Sequence, residues 1–337
     1  MRRQFALMAG ALLVFLTGCP WQSAWPPPAK VGVCRSEYQF GGDQVDSSIK
    51  AVIFYPDLGG SKPIRHFPLI VVNPGYSDSS TGLDYLGEAL ALAGFYVVSY
   101  DPQDGVDFLP QDMSTNVQVD WSILSGRLML LRDDLLAAGY QVPGSSPQKM
   151  LGVIQQCLEG TMTDQGELDI CKHFFDYRLQ PVQIIIDTCQ NPPSDLPGAS
   201  LVDANWVGTI GYSLGGFTAL QLAGAGNSLP GPEVKATLLM APVTGLFTPD
   251  DMLRIGVPVT CLKAGQDQMA INASFDALWP FCPEPKDLVV YPDFGHLDFT
   301  ETFDHLVYGG GGPTTGQVEV AKEVVKFFSK QYRVGGK

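Results

Sequence analysis

Short apolar segments alternate with longer amphipathic segments along most of the chain. Seven apolar runs, each bounded by Gly, Pro, Asp or Asn, predict strands at 51–55, 69–73, 96–100, 206–211, 236–240, 259–263 and 288–291. Apolar residues at helical spacing predict helices at 82–93, 178–188, 214–225, 270–278 and 318–332. This alternation predicts an α/β fold whose central sheet is mostly parallel and carries helices on both faces.

A long segment interrupts the alternation after the strand at 96–100. More than seventy residues separate this strand from the helix at 178–188, which exceeds the usual crossover length. The segment contains two further helical patterns, at 121–138 and 149–158, and we assign an insertion at about 107–177 within one domain spanning 31–335. Because ligands bind at the carboxyl edge of a parallel sheet, we expect a cap that shapes a substrate pocket. The alternative is a peripheral insertion that only packs on the body.

Residues 1–18 have the pattern of an export signal. Arg2 and Arg3 precede an apolar run at 5–16, which is too short to span a bilayer comfortably. The run ends in Leu-Thr-Gly-Cys19, which resembles the bacterial lipoprotein signal and implies that Cys19 is lipidated and that residues 19–30 form a tether. The alternative is an ordinary signal peptide with an incidental cysteine. We expect an exported protein that is anchored to the bacterial cell envelope through Cys19.

Composition and charge narrow the possible partners. With 337 residues, of which 45% are hydrophobic, the chain can form a large core. The 21 basic and 35 acidic residues give a formal net charge of −14, which disfavours nucleic acid as a partner. The same charge gives no attraction to anionic lipids, so membrane attachment would require the covalent anchor.

Six cysteines remain besides Cys19. An even number in an exported chain favours disulfides, and the first candidate pair is Cys261 with Cys282, although several of the six could instead be buried free thiols. The sequence has no Cys-x-x-Cys pair and only four histidines, so no metal site is expected. The six are Cys34, Cys157, Cys171, Cys189, Cys261 and Cys282.

The strongest chemical signal is the sequence Gly211-Tyr-Ser213-Leu-Gly215. It follows a predicted strand and precedes a predicted helix, so Ser213 occupies the strand-to-helix turn that a nucleophile elbow requires. Small residues allow the strand and the helix to approach each other closely, and the helix N-terminus favours negative charge at that position. The alternative is a Gly-rich turn with a passive serine.

A serine nucleophile needs a base and an acid that orients the base, and in this arrangement both follow the serine in the chain. His296 comes directly after the last predicted strand and is the expected base, with His305 as the alternative. Asp267 follows the strand at 259–263 and is the expected acid. Other acids in this half of the chain could also serve, namely Asp250, Asp251 and Asp293.

Two backbone amides are expected to form an oxyanion hole. The amide of Leu214, the residue after the nucleophile, would supply the first donor. The second would come from Tyr76, because Gly75 permits a sharp turn after the strand at 69–73. An ordinary Pro-Gly turn with the Tyr76 ring lining a pocket is compatible with the same sequence.

These motifs, together with the run Ala-Gly-Phe-Tyr-Val-Val-Ser at 93–99, resemble bacterial cutinase-like polyester hydrolases. They also resemble the broader group of dienelactone hydrolase-like and platelet-activating-factor acetylhydrolase-like α/β-hydrolases. The resemblance covers about 49–105 and 178–330 and implies the α/β-hydrolase fold, the Ser213, Asp267 and His296 triad and the two oxyanion donors. Compact cutinases lack the insertion, and dienelactone hydrolases use cysteine where this chain has Ser213.

We therefore expect a serine esterase that cleaves carboxylic esters through an acyl-enzyme, with small-molecule, lipid or polyester substrates and no cofactor. Related acyl hydrolases that act on thioesters, amides or phospholipid acetyl groups are the alternative within enzymes. From a different class, the alternative is a lipoprotein that uses the hydrolase body for binding without turnover.

The lipid anchor predicts a change in detergent partitioning. Cys19→Ala removes the only thiol that the signal presents for lipidation, so the variant should move from the detergent phase to the aqueous phase in Triton X-114 extraction of expressing cells. Cys34→Ala is the matched control and should partition like the parent. A Cys19→Ala protein that stays in the detergent phase would contradict the anchor.

Overall fold

One eight-stranded sheet forms the centre of the molecule. The computed structural model describes residues 32–41, 48–60, 65–76, 78–102, 104, 106–108, 117–119, 121–140, 156, 161, 164–226, 234–267, 271–301 and 312–335. The sheet contains β1 (Gly32–Phe40), β2 (Ile49–Asp57), β3 (Phe67–Asn73), β4 (Tyr96–Tyr100), β7 (Val202–Tyr212), β8 (Val234–Met240), β9 (Val259–Ala264) and β10 (Lys286–Tyr291). A separate short pair consists of β5 (Val106–Phe108) and β6 (Val117–Val119).

The strand order in the sheet is β1-β2-β4-β3-β7-β8-β9-β10. The strand β2 pairs antiparallel with β1 and β4, and the remaining strands are parallel to one another. This is the α/β-hydrolase fold, as predicted. All seven predicted strands are present, and β1 was missed because its mixed polar and apolar residues lie at the edge of the sheet, where one side of the strand is exposed.

Eight helices are described. They are α1 (Asp84–Leu92), α2 (Trp121–Ala137), α3 (Gln165–Phe174), α4 (Leu179–Gln190), α5 (Leu214–Leu222), α6 (Pro249–Leu253), α7 (Ile271–Leu278) and α8 (Thr315–Gly335). Five of the six body helices and the first insertion helix were predicted, whereas α6 and α3 were not. Of the helix expected at 149–158, only residue 156 is described, and it is helical. Within the described part of the chain, no helix is both long enough and apolar enough to cross a membrane.

Period-two alternation along the strands divides the core into two layers. Val52, Phe54, Ile70 and Val72 point to the face covered by α1 and α8. The intervening residues Ile53, Leu69 and Val71 point to the other face, where α4 packs through Val182 and Ile185. Burial on both faces explains why these strands are almost continuously apolar.

The described helices of the insertion pack on the body through one apolar cluster. In α2, Leu128, Leu131 and Leu135 are buried at helical spacing, and they share the cluster with Phe175 and with Phe217 of α5. The helix α3 is capped by Asp164, whose carboxylate accepts hydrogen bonds from the amides of residues 166 and 167. The insertion therefore contacts the helix that follows Ser213, while its role as a cap stays a prediction.

The disulfide predicted between Cys261 and Cys282 is absent, since both are free thiols, as are Cys34 and Cys189. Cys261 is fully buried in β9, and burial raises the pKa of its thiol well above the ordinary value. The Cys282 thiol is directed to the carbonyl oxygen of Pro283 at 3.8 Å, and burial raises its pKa to about 11. The alternative of buried free thiols therefore holds for this pair, and Cys157 lies outside the described residues.

Candidate active site

Ser213 occupies the turn between β7 and α5 in a conformation that few serines adopt. Its φ of 54° and ψ of −119° lie outside the regions that side chains with a Cβ prefer, at a cost of about 1–3 kcal/mol. Two backbone hydrogen bonds hold the turn: the Ser213 amide donates to Met240 at 3.0 Å, and the Val243 amide donates to Ser213 at 2.9 Å. The turn places Ser213 at the carboxyl end of β7, as the motif predicted.

Three glycines make this turn possible by leaving no room for a side chain. A Cβ on Gly211 would overlap the carbonyl group of Gly215, and a Cβ on Gly216 would lie 2.5 Å from the Cβ of Pro242. A Cβ on Gly215 would overlap the backbone of Asn73 at the end of β3. The motif glycines are therefore required by the close approach of α5 to β3, β7 and the chain after β8.

The structure brings Ser213, His296 and Asp267 into one hydrogen-bonded chain. The Nε2 atom of His296 lies 2.8 Å from the Oγ of Ser213, and its Nδ1 lies 2.7 Å from the Oδ2 of Asp267. An ionised carboxylate can only accept a hydrogen bond, so Nδ1 carries the proton and Nε2 accepts from the serine hydroxyl. Both the His296 and the Asp267 side chains are buried. The arrangement can remove a proton from Ser213.

A second set of hydrogen bonds fixes the backbone around His296. This residue begins a 3₁₀ turn, His296–Phe299, after β10. The Tyr212 hydroxyl donates to the His296 carbonyl at 3.0 Å, and the Tyr85 hydroxyl donates to the Phe299 carbonyl at 2.9 Å. Burial, with smaller contributions from the Asp78 and Asp267 carboxylates, raises the pKa of Tyr212 well above its ordinary value, so its hydroxyl stays protonated.

The alternative acids lie elsewhere. Asp251 caps α6, because its carboxylate accepts a hydrogen bond from the Thr248 amide. The same carboxylate pairs with the Lys172 ammonium group at 2.7 Å. Burial alone would raise the pKa of Asp251, but the Lys172 charge and the hydrogen bonds outweigh burial and lower it. Asp250 and Asp293 are exposed on the surface. The alternative base, His305, lies outside the described residues.

The loop after β3 passes directly beside Ser213. A Cβ on Gly75 would lie 3.4 Å from the Cβ of Ser213 and 3.1 Å from the Tyr212 ring, so a side chain here would be tightly packed against both residues. Tyr76 is the next residue, and its ring packs against the apolar cluster that contains Leu214. Leu214 is the first residue of α5, where the amide has no acceptor within the helix. The backbone on both sides of Ser213 is therefore close enough to supply the two predicted amides.

Sequence reasoning missed the side chains that support this loop. Arg178 is fully buried and donates to the carbonyl oxygens of Pro74 and Gly75, each at 2.9 Å, while its guanidinium also pairs with Asp104. The available signals were an arginine at the start of an apolar helix and an acid shortly after a buried strand. Neither of these positions predicts that Arg178 and Asp104 contact each other.

Across the described ranges, no three His, Cys, Asp or Glu side chains come together in a group that could bind a metal ion. The polar atoms around Ser213 are engaged with one another as described above.

The sequence matches no model of a known protein family, and it matches no curated protein. Among solved structures, the chain is similar to a dienelactone hydrolase from Anabaena variabilis, with a TM-score of 0.46 and 15% sequence identity over 89% of this chain and 97% of that chain. At this distance the similarity decides nothing about the reaction or the substrate.

The close approach at Gly215 predicts a specific loss of stability. Gly215→Ala should lower the free energy of unfolding by about 1–3 kcal/mol, because its methyl group must displace the backbone of Asn73 and Pro74. Gly256→Ala is the control, since a Cβ there meets no atom within 4 Å, and it should stay within about 0.5 kcal/mol of the parent. Urea denaturation measures both values. Equal stability of the two variants would contradict the packing described for the turn.

Proposed function

We propose that the protein is a serine hydrolase that cleaves carboxylic esters through an acyl-enzyme formed on Ser213. The observation that carries the proposal is the position of His296, which contacts the Ser213 hydroxyl at 2.8 Å and the Asp267 carboxylate at 2.7 Å. A serine hydroxyl is a weak nucleophile until a neighbouring base accepts its proton. The strained turn at Ser213 and the burial of Asp267 support the same interpretation.

In the first half of the reaction, the Ser213 Oγ attacks the ester carbonyl carbon while His296 Nε2 takes the hydroxyl proton. The carbonyl π electrons move to oxygen and give a tetrahedral oxyanion. When the oxyanion collapses, the bond to the alcohol oxygen breaks, and His296 returns its proton to that oxygen. Asp267 stays ionised throughout, holds Nδ1–H and stabilises the imidazolium.

In the second half, a water molecule replaces the alcohol. His296 removes a proton from this water as its oxygen attacks the acyl carbon, and a second oxyanion forms. Collapse of the oxyanion breaks the bond to Ser213 Oγ, which takes its proton back from His296. The products are the free acid and the free enzyme, so no cofactor takes part.

The oxyanion is assigned to the amides of Leu214 and Tyr76. The first lies at the N-terminus of α5, where the helix dipole favours negative charge. The second belongs to the loop whose Gly75 lies against Ser213. Donors that are fixed before the reaction contribute more than donors that must reorient, which makes the rigidity of this loop important.

The surroundings of the triad favour an uncharged substrate. Leu297 follows His296 directly and is 46% exposed, and the partly buried Tyr76 ring packs beside the Leu214 cluster. Apolar side chains at these positions suit an ester with an apolar acyl or alcohol group. Thioesters, amides and phospholipid acetyl groups are the alternatives, and turnover of matched acyl substrates that differ only in the leaving atom separates them.

The cellular location of the proposed reaction rests on the sequence pattern alone. Cys19 and the residues before it lie outside the described residues, so the lipid anchor rests on the Leu-Thr-Gly-Cys19 pattern. We propose that the hydrolase acts at the cell envelope, held there by lipidated Cys19.

Removal of the nucleophile tests the proposal. Ser213→Ala should reduce kcat for p-nitrophenyl acetate by about 10⁶-fold. Ser329→Ala, a half-buried serine on α8, is the control and should retain the parent's kcat. Residual activity of Ser213→Ala above a tenth of the parent's would refute the acyl-enzyme, and a parent without activity on any acyl substrate would favour a binding protein.

Removal of the charge on the acid tests the role of Asp267. Asp267→Asn should lower kcat by about 10⁴-fold, because the amide can hold the wrong tautomer of His296. Asp293→Asn changes an exposed acid in the loop just before His296 and should leave kcat within about twofold of the parent. If the two variants have the same rate, Asp267 is not the orienting acid.

A further inference from the structure

Arg178 and Asp104 form an ion pair in the interior beside the proposed oxyanion loop. The exposed fractions of the two side chains are 0% and 1%. The Asp104 carboxylate accepts from Arg178 Nε at 2.9 Å, from its Nη2, and from the Tyr177 hydroxyl at 2.7 Å. Burial alone lowers the pKa of Arg178, but the charge and hydrogen bonds of Asp104 outweigh burial and raise it. The guanidinium is therefore a permanent charge.

Stabilisation of the fold is a weak explanation for the buried Arg178–Asp104 ion pair. Removing two charges from water costs several kcal/mol, and a buried ion pair is often no more stabilising than apolar residues of the same volume. The body already has a continuous apolar core on both faces of the sheet. Two further N–H groups of the Arg178 guanidinium donate to the loop after β3, and these hydrogen bonds indicate what the ion pair does.

Those donors hold two consecutive peptide groups, and the second of them carries the Tyr76 amide. Nη1 donates to the carbonyl oxygen of Pro74, and Nη2 donates to the carbonyl oxygen of Gly75, each at 2.9 Å. The Gly75 carbonyl and the Tyr76 amide belong to the same peptide, which is trans. In a planar trans peptide the C=O and N–H bonds point in opposite directions, so fixing the carbonyl on Arg178 fixes the direction of the Tyr76 N–H. A cationic donor on the carbonyl also polarises the peptide and strengthens its N–H as a donor.

The same pair closes the base of the insertion. Asp104 comes shortly after β4, and Tyr177 and Arg178 come directly before α4, so the residues between them form the insertion. The Tyr100 hydroxyl lies 3.3 Å from the Arg178 carbonyl and 3.1 Å from the Oδ1 of Asn73. The two ends of the insertion and the loop after β3 therefore meet at one buried hydrogen-bonded group.

We propose that Arg178, held by Asp104, is a positioning residue that sets and polarises the Tyr76 amide of the oxyanion hole. The proposal rests on the proposed function, since an oxyanion hole has a role only if Ser213 forms tetrahedral intermediates. Arg178 touches neither the substrate nor the reacting atoms, and it acts through the Gly75–Tyr76 peptide.

The test compares Arg178→Lys with the parent. Lysine keeps a positive charge beside Asp104, but its single ammonium group cannot hold both carbonyl oxygens in a forked geometry. We expect kcat for p-nitrophenyl acetate to fall by about 10²-fold, with KM within about threefold of the parent. Here kcat is calculated per active site, with the active sites counted by titration of Ser213, so that misfolded protein does not lower it. Lys172→Met is the matched control: it removes one partner of the buried Lys172–Asp251 pair, away from the loop, and should retain kcat despite a lower melting temperature.

A second readout separates positioning from simple destabilisation. In a thionoester, sulfur replaces the carbonyl oxygen and accepts hydrogen bonds weakly, so it benefits little from the oxyanion hole. Arg178→Lys should therefore lose rate on the oxygen ester and lose much less on the matched thionoester. Equal losses on both esters, or a kcat within about threefold of the parent, would overturn the positioning role.

If Arg178→Lys does not fold, Tyr177→Phe tests the same proposal. It removes one hydrogen bond from Asp104 and keeps the ion pair, and it should lower kcat on the oxygen ester several-fold with a smaller effect on the thionoester. An unchanged kcat in Tyr177→Phe would then count against the proposal. A parent that hydrolyses no acyl substrate at all would overturn the proposed function and, with it, the role given to Arg178.

Discussion

Ser213 holds a backbone conformation, with φ at 54°, that a serine would leave if the surrounding chain did not enforce it. The enforcement comes from hydrogen bonds to Met240 and Val243 and from glycines that let α5 touch β3 and β7. Everything else in the site is built around this turn. The helix N-terminus, the loop after β3 and the imidazole of His296 all have to reach a hydroxyl whose position the turn decides.

Two buried groups of polar side chains support the two sides of that hydroxyl. On one side, Tyr212 and Tyr85 hold the turn that carries His296. On the other side, Arg178 and Asp104 hold the loop that carries Tyr76. Buried polar groups are costly unless all their hydrogen bonds are made, and here they are made to backbone carbonyls of the site itself. Burial of these polar side chains therefore fixes the geometry around Ser213.

Local sequence was sufficient for seven of the eight strands of the main sheet, for the turn and for the chain order of Ser213, Asp267 and His296. Strands buried on both faces have to be apolar, and the elbow requires small residues at Gly211 and Gly215, so both leave a local pattern. The helix α3 was missed because its exposed surface is polar, although Asp164 with a glutamate three residues later is a helix-start signal.

Arg178, Asp104 and the unpaired state of Cys261 and Cys282 were not predictable in the same way. Arg178 contacts Asp104, Pro74 and Gly75, which are far from it in the chain, and no spacing encodes those contacts. Proximity in the fold also does not decide a disulfide, because the Cys282 thiol is directed to a carbonyl while Cys261 lies within β9. These features depend on the folded arrangement of several elements at once.

A crystal structure of the protein after reaction with a small alkyl fluorophosphonate tests the central claim most directly. The account predicts a covalent bond between phosphorus and the Oγ of Ser213, with the phosphonyl oxygen about 2.7–3.1 Å from the amide nitrogens of Leu214 and Tyr76. His296 should remain between Ser213 and Asp267. An unmodified Ser213, or an adduct on another residue, would contradict the account.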